Sequence, residues 1–373
     1  MYDQFKNETL EERPDLNKIY YISPYMKSDG LTHLMKLVLC TRDNINALDI
    51  IKGILDNESS EINKQNTQGW TALMIACRNS NMVSSTETVK LLLECPNIDI
   101  NKWCTTKWTA LMLACGYSNA GSNIETVKLL LEQSNIDINK KNNKGWTVLM
   151  IACRYNDTES NIKTVKLLLE DPKIDVNIQD NEGCTALIIA CKNGCSESNI
   201  ETMRLLLRHP NIDVNIQNNK GNTAFMVALE LCSPKLSNII VDIFMGCNKI
   251  NIHLKNKKGG SIIDMLPIND QFIEFIKNNN IEINNNILIR IIDIFPINDH
   301  FIEFIKNNSV EINNDILKRI INKDNIDTEI LIPYIFSPLN FDYKIIIEIL
   351  KKHNDPDRII YYCYLHTNVK KKC

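Results

Sequence analysis

The sequence predicts an all-α solenoid built from helix-loop-helix units of about 38 residues. The segment TALMIA at Thr71 returns in recognisable form at one constant interval, at Thr109, Thr147, Thr185 and Thr223. A second block, TVKLLLE at Thr88, recurs in phase with it, and a third block, NIDIN at 97–101, follows in the same phase. A fixed period of this kind indicates supersecondary units that bury their apolar faces only by stacking on their neighbours.

The first block predicts a short helix. Leu73, Ala76 and Cys77 stand at i, i+3 and i+4, which is one apolar stripe of an α-helix. Thr71 stands where an N-cap belongs, since its hydroxyl accepts a free backbone N–H. Gly69 tolerates a positive φ and is therefore suited to end a tight turn before the helix.

The second block predicts a second helix, with Val89, Leu92 and Leu93 as its apolar stripe. A Ser-x-x-Glu pattern starting at Ser84, Ser122 and Ser198 predicts a capping box at its N-terminus. The polar, Asn-rich stretch that follows is typical of a hairpin turn, or finger. Each unit is therefore expected to run helix, loop, helix, finger.

The blocks GWTALMIAC, ETVKLLLE and NIDIN resemble the ankyrin repeat, whose pattern is G-x-T-P-L-H-x-A-A, V-V-x-L-L-L and A-D-V-N. The resemblance implies an N-terminal segment, 1–23, followed by six ankyrin units at 24–62, 63–100, 101–138, 139–176, 177–214 and 215–252. The usual ankyrin period is about 33 residues, so we assign the extra residues to the loop between the two helices. Ala-Leu-Met replaces Pro-Leu-His, so the histidine hydrogen bonds of the family are expected to be missing. The repeat style resembles the ankyrin proteins of amoeba-infecting giant DNA viruses, which implies a cytoplasmic location in a host cell.

The C-terminal third predicts weaker repeats. The segment 267–291 returns at 296–320 with 20 of 25 positions identical. We expect degenerate helical repeats over 253–321 and a helical cap or tail over 322–373, because solenoids need a polar end.

Composition and motifs favour an interaction protein over an enzyme. The net charge of −3 provides no basic field for nucleic acid or an anionic membrane, and no apolar run approaches the length of a membrane span. The sequence contains no recognisable motif for nucleotide binding, cofactor binding, metal binding or catalysis. We therefore expect the protein to bind no cofactor and no metal ion. Cysteines recur at the same helix position, at 77, 115, 153 and 191, which predicts that they are small buried side chains. Cys363 with His366 is a poor candidate for a catalytic pair.

In ankyrin proteins the binding face is concave and consists of finger tips and the exposed side of the first helices. Carried onto this chain, the candidate partner-binding residues are Gln65, Trp103, Lys107, Lys141, Lys144, Gln179, Glu182, Gln217 and Lys220. Trp103 is a candidate binding hot spot. Alternatively, Trp103 and Trp108 pack together to repair a finger in which Lys107 replaces the turn glycine.

Two functions follow from the resemblance. The first is a scaffold or decoy that binds partner proteins through the concave face. The second is a ubiquitin-ligase substrate adaptor, because TEILIPYIFSPLNFDY at 328–343 is similar to an F-box pattern that binds cullin-ligase components. The spacing from Glu329 to Ile335 is one residue longer than in the F-box pattern, and Pro333 and Pro338 would break its helix.

Overall fold

The computed structural model describes residues 30–41, 46–57, 61–80, 85–116, 124–154, 159–193, 197–231, 234–247, 249–266, 285–294, 316 and 319. The chain divides into two compact units, Met1–Ile262 and Ile263–Cys373. The predicted N-terminal segment, most of the inter-helix loops and the predicted C-terminal tail lie outside the described residues.

Helices of the first compact unit come in pairs, as the two sequence blocks predict. The pairs are α1 (His33–Cys40) and α2 (Ala47–Asn57), α3 (Ala72–Asn79) and α4 (Thr86–Leu93), α5 (Ala110–Gly116) and α6 (Ile124–Leu131), α7 (Val148–Arg154) and α8 (Glu159–Leu169), α9 (Ala186–Lys192) and α10 (Glu197–Leu207), and α11 (Ala224–Leu231) and α12 (Pro234–Met245). A short helix, α13 (Ile262–Met265), follows and belongs, apart from Ile262, to the second compact unit. First helices pack on first helices and second helices on second helices, so the pairs form two rows. The described residues contain no β-strand, only isolated bridges. The all-α solenoid is confirmed.

The first helices begin where the sequence predicts. The Thr71 hydroxyl accepts a hydrogen bond from Met74 N at 3.2 Å, which satisfies one of the free N–H groups of α3. The same cap recurs at the equivalent position of the following units, at Thr109, Thr147, Thr185 and Thr223. Gly69 has a φ of +78°, which confirms the predicted turn.

Both predicted apolar stripes lie in the core. Leu73, Ala76 and Cys77 of α3 are buried, and Val89 and Leu92 of α4 have no exposed surface. Complete burial of one leucine side chain contributes about 1.5–3 kcal/mol. The two rows of helices are therefore stabilised by the repeating apolar pattern itself.

The second helices start differently from the prediction. The side chain of Ser85, rather than Ser84, caps α4 by accepting from Thr88 N at 3.2 Å. Helices α8 and α10 begin at Glu159 and Glu197, so Ser198 lies inside the first turn and is not an N-cap.

The second compact unit contains α14 (Asn285–Ile294), which presents buried isoleucine and leucine side chains. Arg290 donates hydrogen bonds to the carbonyl oxygens of Ile263 (2.8 Å) and Leu266 (2.5 Å). A cation there satisfies carbonyl groups at the end of α13. The predicted helix FIEFIKNN at 272–279 lies outside the described residues.

Candidate functional site

A polar finger precedes each of the helices α3, α5, α7, α9, α11 and α13. The fingers are residues 64–70, 102–108, 140–146, 178–184, 216–222 and 254–260. In the third of these, Asn142 Oδ1 accepts from the backbone N–H groups of Lys144 (2.9 Å) and Trp146 (3.0 Å). Gly145 follows with a φ of +76°. The same Asx-centred turn is built on Asn66, Asp180, Asn218 and Asn256.

Backbone hydrogen bonds join each finger to the next. Asn181 N donates to Lys144 O at 3.1 Å, and equivalent bonds link the other neighbouring fingers. The approach is so close that a Cβ atom on Gly145 would lie 2.7 Å from Asn181 N. The fingers therefore form one continuous, internally bonded surface rather than a series of separate loops.

Four candidate residues take part in this bonding. Gln179 Nε2 donates to Gly183 O (2.6 Å) within its own finger and to Gln217 O (3.1 Å) in the next finger. Gln65 and Gln217 make the same two bonds, and Lys141 Nζ donates to Gln179 O at 2.8 Å. These side chains hold neighbouring fingers together, a role that the sequence analysis did not assign to them.

Trp103 occupies the same register position as those four residues, but its side chain is 48% exposed. Lys140 Nζ lies 4.4 Å from the centre of its ring and Lys107 Nζ lies 5.8 Å from it. The Trp108 ring lies beside Gly116, where an added Cβ atom would be 3.1 Å from it. The Trp103 side chain thus contacts lysine side chains on its own finger and the next one, and its packing against Trp108 stays a prediction.

The remaining candidates, Lys144, Glu182 and Lys220, are exposed at finger tips. Glu182 forms an ion pair with Lys192 Nζ at 2.9 Å. That hydrogen bond, and then the Lys192 charge, lower the pKa of Glu182. The same ammonium group lies 3.1 Å from Cys184 Sγ, whose pKa is raised because burial outweighs the neighbouring cation.

Sequence reasoning missed a ladder of asparagines at the base of the fingers. Asn139 Nδ2 donates to Lys173 O (2.7 Å), and its Oδ1 accepts from Asp175 N (3.0 Å) in the following copy of the IDIN turn. The same pair of bonds is made by Asn63, Asn101, Asn177 and Asn215. These bonds tie successive turns together. The signal was present in the sequence, because the asparagine recurs at the same position of each unit.

The sequence analysis expected an exposed side of the first helices to form part of the binding face, and this expectation is wrong. Every residue is buried in the stretches 72–77, 110–115, 148–153, 186–191 and 224–228. Neighbouring first helices flank each interior helix on two sides and its own second helix packs on a third. The candidate surface consequently consists of the fingers, without a contribution from these helical segments.

The recurring cysteines are packing residues with buried thiols. Cys77, Cys115, Cys153 and Cys191 have no exposed surface, and burial raises the pKa of each thiol. Within the described residues, no group of three His, Cys, Asp or Glu side chains is arranged to hold a metal ion. None of the described helices is both long and apolar enough to cross a membrane. Cys363 and His366 lie outside the described ranges.

Comparison with known proteins identifies the repeat. A family model described as "Ankyrin repeats (3 copies)" matches residues 34–142, 82–180, 117–215 and 159–256, which together span well over half of the chain. No curated protein matches the chain.

Among solved structures, the ankyrin repeat domain of Bcl-3, a member of the IkappaB protein family, is 23% identical with a TM-score of 0.51. That match covers 67% of this chain and 100% of the other. The ankyrin repeat protein EF0377 is 26% identical with a TM-score of 0.48, covering 58% of this chain and 100% of the other. The Bcl-3 match supports the fold alone.

Proposed function

The chain belongs to the ankyrin-repeat family, and from this premise we propose that it is a non-enzymatic scaffold that binds a partner protein across its fingers. Ankyrin repeats are generally protein–protein interaction modules. One observation carries the proposal: the exposed finger side chains change from unit to unit on a backbone that repeats almost unchanged. The register position of Lys144 holds Thr106 in the preceding finger and Glu182 and Lys220 in the next two, all of them exposed.

The second helices provide a contrast. On them an exposed lysine recurs in three successive units, at Lys90, Lys128 and Lys166, before Arg204 and Asp242 take this position. These three units present the same contact at that position of the second helix, whereas their fingers present a different set at each step. Specific recognition requires such differences between positions, which favours the fingers as the binding surface.

The mechanism we propose is passive. Because hydrogen bonds join the fingers to one another, their backbone is ordered before any partner arrives. A preorganised surface loses less conformational entropy on association, so more of the contact free energy appears as affinity.

Affinity purification of the tagged full-length chain from its native cells, with identification of the co-purifying proteins, tests this proposal. We expect a defined set of proteins that is lost when exposed finger residues such as Lys144 and Lys220 are replaced by glutamate. As the control, Lys128→Glu and Lys166→Glu make the same charge change on the second helices and should retain the set. The proposal fails if both pairs of substitutions have the same effect.

The adaptor function is the second candidate, and the F-box-like segment 328–343 favours it. The segment lies outside the described residues, so the support comes from its sequence alone. The test compares the full-length chain with a chain that ends at Lys323. Cullin-ligase components that co-purify only with the full-length chain would support an adaptor, and identical protein sets without ligase components would support the plain scaffold.

On repeat style alone, we also propose a viral origin and a location in the host cytoplasm. Eight cysteines in the described part of the chain are free thiols, as expected in a reducing compartment. Localisation of the tagged protein in infected cells would test this assignment, and secretion of the protein would contradict it.

A further inference from the structure

Finger 102–108 departs from the other fingers at three positions: Cys104 replaces the Asn or Asp that centres the turn, and Trp103 and Lys107 each place a side chain at the surface. Gln65, Gln179 and Gln217 each use a side-chain amide to bond to the next finger. Trp103 has no amide with which to make that bond. The indole therefore replaces a stabilising contact with about half of its own surface exposed to solvent.

The second of these surface side chains is Lys107. The equivalent position in the other fingers described is glycine with a φ between +75° and +84°, at Gly69, Gly145, Gly183, Gly221 and Gly259. Lys107 adopts a φ of +58° there, a conformation that is costly for a residue with a Cβ atom. Its ammonium group approaches the Trp103 ring at 5.8 Å.

The next finger adds positive charge beside the indole. The lysine–tryptophan patch consists of Lys102, Trp103, Lys107, Lys140, Lys141 and Lys144, and the two fingers that carry it, 102–108 and 140–146, contain no acidic residue. Among the described residues, none of these five ammonium groups has a carboxylate oxygen within ion-pair distance. Lys140 and Lys141 instead donate to the backbone carbonyl oxygens of Asn101 (2.9 Å) and Gln179 (2.8 Å), which leaves their charge uncompensated.

This local excess of positive charge contrasts with the chain as a whole, whose net charge is −3. The following finger carries Asp180 and Glu182, and both carboxylates are already engaged. Asp180 Oδ2 accepts from Trp146 Nε1 at 3.0 Å, and Glu182 is paired with Lys192. The patch thus ends at a finger with two carboxylates, so its positive charge covers only two fingers and matches a short acidic segment better than a long polyanion that followed the stack.

We propose that the lysine–tryptophan patch docks an acidic segment of a partner protein, with an apolar side chain of that segment against the exposed face of Trp103. The lysines supply charge complementarity and fast association, and the indole supplies a rigid apolar contact of the kind that dominates binding energy. The ammonium group of Lys140 lies over the ring and holds the indole in place. The inference rests on the proposed function and names the chemistry of the partner.

The test uses the full-length chain and a short fluorescent peptide in which a Leu-Phe pair is flanked on both sides by runs of glutamate. Binding is followed by fluorescence anisotropy at several salt concentrations. We expect saturable binding that weakens as salt rises, because exposed charges are screened within about 10 Å at 0.1 M salt. The same peptide with glutamine in place of glutamate should not bind.

Three variants locate the site. Trp103→Gln installs the amide that the other fingers use, so it should fold normally and weaken peptide binding about tenfold, equivalent to about 1.4 kcal/mol. Lys144→Gln should also weaken binding. Lys166→Gln removes the same charge from an exposed site on a second helix, outside the patch and the fingers, and should leave binding unchanged.

Three results would overturn the inference: no saturable peptide binding, equal binding by wild type and Trp103→Gln, or tighter binding of a single-stranded oligonucleotide than of the peptide. Melting temperatures of all variants are measured so that misfolding is recognised. If cellular partners co-purify with Trp103→Gln as with wild type and the peptide does not bind, this inference fails while the proposed function stands. If wild type captures no protein, the proposed function fails, and the peptide titration still decides whether the patch binds acidic segments.

Discussion

Replacing Asn139 with alanine removes one step of the asparagine ladder and nothing from the apolar core. The side chain of Asn139 makes two hydrogen bonds to the following turn. Its Nδ2 donates to Lys173 O at 2.7 Å, and its Oδ1 accepts from Asp175 N at 3.0 Å. A typical intramolecular hydrogen bond contributes about 0.5–1.5 kcal/mol net, so two contribute about 1–3 kcal/mol. Both bonds lie at an exposed site where water can replace them, so we expect a loss of about 1–2 kcal/mol.

The assay is urea unfolding followed by far-UV circular dichroism, with the change in free energy taken from the midpoint shift at constant slope. Asn135→Ala is the matched control, because Asn135 is exposed in the same turn and its backbone oxygen, rather than its side chain, accepts the ladder bond from Asn101. The control should stay within about 0.5 kcal/mol of wild type. The reasoning is refuted if Asn139→Ala also stays within that range or if the control loses as much.

Three further predictions concern the core, a turn and a titrating side chain. Leu92→Ala should lower the free energy of unfolding by about 2–5 kcal/mol, because the side chain is fully buried in α4, and an effect below about 0.5 kcal/mol would mean that the helix register is wrong. Lys107→Gly should raise that free energy by about 0.5–1 kcal/mol, since glycine adopts a positive φ without strain, and a clear loss of stability in urea unfolding would contradict this. Burial lowers the pKa of His209 below its usual 6.5, and its Nδ1 accepts a hydrogen bond from Asn211 N only when neutral. The stability that neutral His209 contributes is therefore present above pH 6.5 and lost as the pH falls below it. His209→Asp copies Asp171, which makes the same turn contact, and should reduce the drop in melting temperature over that pH range; an unchanged drop would assign it to other groups.

Much of the fold could be predicted because the same capping residues, turn residues and apolar spacing recur in successive units. The threonine caps and the positive φ of Gly69 depend only on residues within one turn, so a single copy of the motif is sufficient to predict them. The starts of the second helices were less predictable, since Ser84 and Ser85 are both competent caps and only the folded chain selects Ser85.

The candidate site was predicted only in part, because its bonds join residues that are far apart in sequence. The bonds of Asn139 span 34 and 36 residues, and the bond from Gln65 to the next finger spans 38. Their existence depends on how closely neighbouring fingers approach, which no single unit specifies. The exposure of Trp103 and the burial of the first helices depend on the same stacking geometry. Partner binding by the nine candidate residues stays a prediction.

Site-specific photo-crosslinking in the full-length chain tests the central claim most directly, because it reports where a bound partner lies. A photoreactive residue is introduced at Lys144 or Lys220 in the fingers and, separately, at Lys128 or Lys166 on the second helices, all of which are exposed. The account predicts that partner proteins cross-link from the finger positions and not from the helix positions. Cross-linking from the helix positions alone would contradict it.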